Sequence, residues 1–292
     1  MYHKTTPYRI FSAFNTTLLL VLAILCIVPL IHVFAVSFSA KAAADANIVG
    51  LWPIDFTAEA YKKTIDNPIF LGSLWVAVKR TLIGTGLILF VASLAAYALS
   101  KESNQFKGRS IYAWAFVFTM IFNGGLVPFY IVIQKLHLMD SFWVLVIPGV
   151  VNVWLTILLM NFFRGVPKEL EEAAMIDGSS QFGILFRIYL PLSLPALATL
   201  GLFAMVWHWN SWFDGLLYLS KKEDYPLATY LQTVIITRDF SSLSFSQAEA
   251  DLLSQKTINA AQIFIGALPI LIVYPFLQKF FVKGLVIGSV KE

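Results

Sequence analysis

Aromatic and amide side chains recur inside the apolar stretches of this sequence, and together they could bind a solute that has both apolar faces and hydroxyl groups. Aromatic rings lie against the apolar faces of pyranose sugars, and amides hydrogen-bond the sugar hydroxyls. The candidates are Asn123, Tyr130, Asn152, Trp154, Asn161, Trp207, Trp209 and Asn210. Tryptophan and tyrosine also gather at membrane interfaces and asparagine also bonds between helices, so a structural role stays open for each. Asn123 is the strongest candidate, because Gly124 and Gly125 follow it and let a backbone approach a ligand closely.

The sequence has no motif for ATP binding or for hydrolytic chemistry. It contains no Gly-x-x-x-x-Gly-Lys-Ser/Thr loop, no Gly-x-Ser-x-Gly elbow and no His-Glu-x-x-His zinc helix. His32 and His208 lie in apolar runs, where packing is favoured over a proton relay. The apolar runs lack Asp, Glu, Lys and Arg, which makes an ion-gradient-driven transporter of a small polar solute the weaker alternative. We expect no catalytic, cofactor-binding or metal-binding residue in this chain.

The composition is that of a membrane protein. Of 292 residues, 58% are hydrophobic and 13% are charged, whereas ordinary soluble domains carry roughly 25% charged residues. A mean hydropathy of +0.74 excludes a disordered chain. The net charge of +4 is too small to indicate nucleic acid binding, and the single cysteine, Cys26, allows no disulfide within the chain.

Six stretches without Asp, Glu, Lys or Arg are long enough for a spanning helix of about 20 residues. They are Ile10–Ala40, Thr81–Ser100, Ser110–Gln134, Ser141–Phe163, Ile188–Phe213 and Thr257–Gln278. The first is longer than a signal peptide's hydrophobic region, so we expect an uncleaved helix. The second is expected to begin near Phe70, with Lys79 and Arg80 reaching toward an interface. The sequence thus predicts an all-α polytopic protein with six transmembrane helices.

The distribution of basic residues predicts the orientation of these helices. If both termini are cytoplasmic, the inner segments hold 11 Lys or Arg in 56 residues and the outer segments hold 10 in 89. Cytoplasmic loops carry the excess of Lys and Arg, which favours this orientation. The long outer segments are then 41–69 and 214–256, and the latter ends with acidic residues from Glu249 to Asp251.

The longest inner segment, 164–187, has the features of a short surface helix. Pro167 suits the first helical position, and the three glutamates that follow favour the positive end of the helix dipole. A narrow face of this helix is centred on Ala173 and Ala174. After about ten residues, Gly178 is placed to end the helix in a left-handed conformation.

A second short helix is expected directly after this turn. Ser179 and Ser180 can cap it, and it runs from Gln181 to Tyr189. Pro191 and Pro195 mark its junction with the fifth span. From composition alone, an ordinary amphipathic loop resting on lipid headgroups is the alternative.

These residues carry a resemblance to a known family. Glu172, Ala173 and Ala174, then Gly178 after three residues, and Ile188 to Pro191 after nine more, resemble the EAA loop of binding-protein-dependent ABC importer permeases. The segments 209–213, 225–227 and 281–284 are similar to the carbohydrate-uptake branch, although Glu292 stands where glycine is common. The segment 122–128 is similar to permeases of oligosaccharides and polysaccharides, among them the smaller permease subunit of the alginate importer.

The resemblance implies the type I ABC importer permease fold, in which the EAA loop forms a cytoplasmic coupling helix that sits in a cleft of a separate ATPase. The contact and turn positions are then Glu172, Ala173, Ala174 and Gly178, and Ile188 and Pro191 form the hinge to the fifth span. The chain itself is expected to have no ATPase activity, since ATP and Mg²⁺ belong to the partner ATPase subunits.

The resemblance also implies the partners and the location. We expect a second homologous permease, two ATPase subunits, an extracytoplasmic sugar-binding protein docking on the outer loops, and a carbohydrate substrate, in the bilayer of a bacterial inner membrane. The expected organisation is a first helix and outer loop in 1–69, a permease core in 70–280 that includes the coupling loop 164–190, and a cytoplasmic tail in 281–292.

Overall fold

The computed structural model of the chain describes residues 5–241 and 255–289, with side chains described for 5–234 and 255–275. Every element assigned in these residues is helical, which confirms the all-α expectation. The chain forms two compact units, one of residues up to Leu71 together with Leu231–Leu268, the other of Gly72–Tyr230 together with the residues from Pro269 onward. The boundaries expected at residues 69 and 280 stay predictions, and the acidic segment 249–251 lies outside the described residues.

Fourteen α-helices are assigned within residues 5–241 and 255–289. In chain order they are α1 (Thr6–Ser37), α2 (Lys41–Asp45), α3 (Glu59–Ile65), α4 (Pro68–Ser100), α5 (Arg109–Ile121), α6 (Leu126–Lys135), α7 (Val153–Phe163), α8 (Lys168–Ile176), α9 (Gln181–Ile184), α10 (Leu190–Leu192), α11 (Leu194–Asn210), α12 (Phe213–Tyr218), α13 (Leu227–Ser241) and α14 (Lys256–Ser289). Short 3₁₀ segments lie at Phe142–Leu145, Ile147–Gly149 and Lys222–Asp224, and a π-helical turn lies at Leu185–Tyr189.

Three of these helices are long and apolar enough to cross a membrane by themselves: α1, α4 and the part of α14 up to Pro275. The start of α4 at Pro68 confirms that the second span begins before its charge-free run. Only Ala35 and Ser37 of α1 are buried, so its apolar side chains are left for lipid or another protein to contact. α14 continues to Ser289, so the described part of the expected tail is helical.

The third, fourth and fifth charge-free runs each fold as a bent pair of helices, which gives up to six spans in the described residues. The bends are 113° between α5 and α6, 48° before α7, and 82° between α10 and α11. At the first bend Gly125 has φ +91°, a backbone conformation that side chains with a Cβ rarely adopt. At the second, Asn152 caps α7 by accepting a hydrogen bond from the Leu155 amide at 3.0 Å.

The core of the second unit joins α4, α7, α9, the π-helical turn and α11. Its buried members are Ile88, Ala92, Ala96, Tyr97, Leu155, Leu159, Phe163, Ile184, Leu185, Tyr189, Leu200 and Ala204. Ala174 of α8 and Ile188 of the π-helical turn pack against it from the edge. The short helices of the predicted inner segment therefore share one hydrophobic core with the spans.

Candidate functional site

The segment with the EAA-like pattern folds as expected from its local signals. α8 spans nine residues, and Pro167 is its N-cap, one position earlier than its predicted place at the first helical residue. The helix ends in a Schellman motif: the Ser179 amide donates to the Ala174 carbonyl at 2.9 Å, and the Gly178 amide donates to the Met175 carbonyl at 3.1 Å. Gly178 has φ +79°, which confirms the left-handed turn.

α8 presents two faces with different surroundings. Glu172 and Ala173 are exposed, as is Ile176, whose exposed fraction is 87%. On the other face Ala174 is half-buried against the core and Glu171 is buried. One side of α8 is therefore free to contact another molecule, while the opposite side is attached to the spans.

The second short helix also begins where expected. Ser180 caps α9, since its hydroxyl oxygen accepts a hydrogen bond from the Gly183 amide at 3.2 Å. The helix then widens into the π-helical turn before α10, because Pro191 has no N–H to donate to the carbonyl four residues earlier. Ile188 is half-buried and Pro191 is exposed on either side of this junction, and the 82° bend follows at Ser193.

A buried ionic cluster attaches α8 to α4 and to the π-helical turn. Glu171 forms an ion pair with Lys101, the residue directly after α4, and the two side chains are 7% and 10% exposed. The Tyr189 hydroxyl donates to the second carboxylate oxygen of Glu171 at 2.5 Å. The Tyr97 hydroxyl donates to the Gln181 side-chain oxygen at 2.6 Å. We call Tyr97, Lys101, Glu171, Gln181 and Tyr189 the Glu171 cluster.

Aromatic contacts complete the Glu171 cluster. The Lys101 ammonium lies 4.0 Å from the centre of the Tyr97 ring and 5.0 Å from that of Tyr189, at cation–π distance. The two tyrosine rings meet edge to face at 4.9 Å, and Phe163 meets Tyr189 in the same way at 5.4 Å. Burial lowers the pKa of Lys101, and the hydrogen bond to Glu171 opposes this by favouring the charged form.

An exposed ion pair joins the same two elements one residue further along. Lys168 at the start of α8 pairs with Glu102, which is adjacent in sequence to Lys101. The hydrogen bond from Lys168 lowers the pKa of Glu102, and the same bond raises the pKa of Lys168. α8 is therefore attached to the end of α4 at two points, one buried and one exposed.

A second ion pair, in which the arginine is fully buried and the aspartate is half-buried, contradicts one expectation from the sequence. Arg80 does not reach toward an interface: its side chain is fully buried and pairs with Asp214 of α12. Its guanidinium also donates to the Ser211 carbonyl at 3.0 Å. The sequence offered no sign of this pair, because 134 residues separate its members. Lys79 lies 5.2 Å from the centre of the Phe142 ring and is half-buried.

Three of the four asparagines among the predicted pathway residues form hydrogen bonds with nearby backbone. The Asn123 side chain accepts from the Gly125 amide at 2.9 Å within the 113° bend, and Asn152 caps α7 as described. Asn210 donates to the Val206 carbonyl at 2.9 Å. Asn161 is exposed at the end of α7. Local backbone contacts thus account for three of these four amides, and a role in a sugar path stays a prediction.

The aromatic members of the predicted pathway lie in separate ring contacts. Trp154 lies 5.5 Å from Phe203, and Tyr130 stacks on Tyr218 at 6.1 Å between ring centres. Trp207 covers Gly149 so closely that a Cβ there would lie 2.5 Å from its ring, and Trp209 is half-buried. His208 is buried against Gly84, whose Cβ would lie 2.2 Å from the imidazole.

No group of three or more His, Cys, Asp or Glu side chains that could hold a metal ion occurs within residues 5–234 and 255–275. Sequence reasoning missed the partners of Glu171. The available signals were weak: Glu171 directly precedes the EAA-like pattern, Lys101 directly follows a span, and Tyr189 lies inside the second half of that pattern.

Comparison with known proteins gives consistent results. The family described as "binding-protein-dependent transport system inner membrane component" matches residues 88–287. Protein LplC of Bacillus subtilis is 39% identical over 289 residues, which cover 99% of this chain and 97% of that protein. The polygalacturonan/rhamnogalacturonan transport system permease protein YtcP of the same organism is 39% identical over 284 residues, 97% of this chain and 99% of that protein.

A solved structure agrees with these sequence relatives. A chain in the crystal structure of a bacterial ABC transporter involved in the import of the acidic polysaccharide alginate superimposes with a TM-score of 0.85 at 33% identity. The overlap covers 95% of this chain and 98% of that one. The likeness extends over both chains nearly in full.

Proposed function

Since this chain belongs to the family of binding-protein-dependent transport system inner membrane components, we propose that it is the permease subunit of an ATP-driven carbohydrate importer. The chain performs no chemistry of its own in this proposal, and a separate ATPase supplies the energy. The observation that carries it is α8, which exposes Glu172 and Ala173 while its opposite face is attached to the spans. A helix held in this way can pass a movement from a partner to the membrane helices.

α8 is the coupling helix in this proposal. ATP and Mg²⁺ bind to two ATPase subunits, whose closure moves α8 together with the spans that share its core. Ala173 and the half-buried Ala174 allow close approach of a partner backbone, Glu172 supplies a charge that fixes its orientation, and Gly178 makes the turn. The junction at Ile188 and Pro191, with its π-helical turn and 82° bend, is the hinge to the fifth span.

The remaining partners follow from the same proposal. Both termini and α8 are cytoplasmic, as the distribution of Lys and Arg indicates. An extracytoplasmic sugar-binding protein docks on the outer loops 41–69 and 214–256, and a second homologous permease completes the pathway. The exposed apolar length of α1 and α5 is available to lipid or to that second permease.

The proposed substrate is an oligosaccharide or polysaccharide, and an acidic, alginate-like chain is the specific candidate. Support comes from the polygalacturonan/rhamnogalacturonan permease and the alginate importer among the similar proteins, both named for acidic polysaccharides. The candidate contacts are the aromatic and amide residues Asn123, Tyr130, Asn152, Trp154, Asn161, Trp207, Trp209 and Asn210. ATPase assays of the purified complex with binding protein, against neutral and acidic oligosaccharides, identify the substrate.

The turn at Gly178 provides the test of coupling. A β-branched residue cannot adopt φ +79° without strain, so Gly178→Val should redirect α8 and lower sugar uptake while the membrane level of the protein holds. Gly178→Asn is the matched control, because asparagine tolerates this conformation and should keep most of the uptake. Normal uptake by the valine variant refutes the coupling assignment. Uptake by the chain alone in liposomes, driven by an ion gradient, refutes the proposal as a whole.

A further inference from the structure

Two arginines face a cleft beside α8 that the proposed function does not use. The cleft has a volume of about 410 Å³, within the usual range of small-molecule sites. Arg109, the first residue of α5, and Arg164, the residue after α7, both line it. The amides of Asn104 and Gln105 line the same cleft and add uncharged hydrogen-bonding groups.

The other charged groups of the cleft are already engaged. Lys101 pairs with Glu171 and Lys168 pairs with Glu102, so these four charges cancel in two ion pairs. Glu172 is exposed, and its charge acts on Lys168. Two positive charges, those of the arginines, therefore exceed the one remaining negative charge in the cleft.

Neither arginine has an ion pair within the described part of the chain. The Nε–H of Arg109 is buried and has no hydrogen-bond partner there, which leaves a donor unsatisfied. Arg164 is exposed, and partial burial together with the charge of Arg109 lowers its pKa. A bound anion would satisfy the donor and remove the repulsion. Guanidinium groups bind phosphate oxygens in pairs, which makes phosphate the matching anion.

The position of the cleft favours a lipid as the source of the phosphate. Lys101, Arg109 and Arg164 stand at the ends of three apolar helices, where the polar headgroups of a bilayer lie. α5 begins at Arg109 and buries none of its residues, and Ile111 and Trp114 are 75% and 72% exposed. The apolar surface of α5 thus adjoins the arginines and can contact acyl chains, as tryptophan does near membrane interfaces.

We propose that Arg109 and Arg164 bind the phosphate group of an anionic phospholipid whose acyl chains lie along α5. The lipid occupies the space between the end of α4 and α8, next to both ion pairs that attach α8. The site is independent of the identity of the transported solute.

The experiment measures how much lipid remains bound to the full-length chain. The chain is purified from membranes together with its partner proteins. Native mass spectrometry with phosphatidylglycerol, and with phosphatidylcholine of the same acyl chains, measures retention. The wild type should retain phosphatidylglycerol in preference. The double variant Arg109→Gln, Arg164→Gln should bind it at least about tenfold more weakly, because two charge-assisted contacts are lost. Arg187→Gln, which changes an exposed arginine outside the cleft, is the matched control and should bind as the wild type does.

Three results overturn the proposal. Equal phosphatidylglycerol retention by the double variant shows that the arginines do not bind it. Displacement of the lipid by inorganic phosphate at equal affinity identifies a site for free anions. Loss of a co-purifying protein, with lipid retention unchanged, identifies a protein carboxylate as the partner. If the double variant does not reach the membrane, Arg164→Lys decides, since it keeps the charge, loses the paired geometry and should weaken retention severalfold.

Discussion

Glu171→Ala should detach α8 from α4 while leaving the exposed face of α8 unchanged. The substitution leaves Lys101, whose side chain is 10% exposed, without its counter-charge, and leaves the Tyr189 hydroxyl without its acceptor. Removing one partner of a buried ion pair costs about 3–5 kcal/mol. Because α8 is a short helix attached by this cluster, by Ala174 and by the exposed Lys168–Glu102 pair, the loss should appear as local opening rather than global unfolding.

The magnitude can be measured by hydrogen exchange. A loss of about 3 kcal/mol raises the open population of α8 roughly a hundredfold, so the amides of residues 168–176 should exchange correspondingly faster. Sugar transported per ATP hydrolysed should fall as well, because a detached α8 no longer moves with the spans. Lys168→Ala is the matched control: it breaks the exposed pair with Glu102, which water screens, and should leave exchange close to that of the wild type.

A double-mutant cycle separates the ion pair from general damage. Lys101→Ala combined with Glu171→Ala should cost less than the sum of the two single changes, since neither charge is then left buried alone. Unchanged exchange of 168–176 in Glu171→Ala would show that the Glu171 cluster does not hold α8. If Glu171→Ala exchanges like the wild type in all regions but no longer holds its partner proteins, Glu171 acts in assembly instead.

Four further substitutions, at three positions, test other parts of the structure. Asn123→Leu should weaken transport without loss of ATPase assembly. Asn123→Asp keeps the acceptor for the Gly125 amide. This variant should transport normally if Asn123 only stabilises the turn, and poorly if its amide contacts the sugar. Asp214→Asn should lower the free energy of unfolding by about 3 kcal/mol, because Arg80 is then buried opposite a neutral amide. A lower melting temperature of the purified protein would show this loss. Gly149→Val should shift tryptophan fluorescence and destabilise by about 1–3 kcal/mol through the clash with Trp207.

The sequence predicted those features that depend on neighbouring residues. The Schellman turn at Gly178 and the Ser180 cap each depend on a few consecutive residues, and both are confirmed. The charge-free runs predicted the positions of six spans, because apolar length is a local property. They did not predict that three runs break into bent pairs, although Gly125 and Pro191 stand at or beside two of the bends.

Pairs of residues far apart in the chain could not be predicted. Lys101 and Glu171 are 70 residues apart, and Arg80 and Asp214 are 134 apart. Each is an unremarkable charged residue until the fold brings it to its partner. Arg80 shows the limit of the rule that cations near a span reach for the interface, since a carboxylate from another helix can hold such a cation in the interior.

The two ion pairs between the end of α4 and α8 also favour one orientation of α8. In both elements a lysine precedes a glutamate: Lys101 and Glu102 are adjacent, and Lys168 and Glu171 are about one helical turn apart. Each lysine pairs with the glutamate of the other element, Lys101 with Glu171 and Lys168 with Glu102. Docking α8 end for end would place cation against cation and anion against anion. The order of the charges therefore favours one polarity of α8. A reversed α8 would meet its main repulsion at the buried contact with Lys101, because water screens the exposed contact.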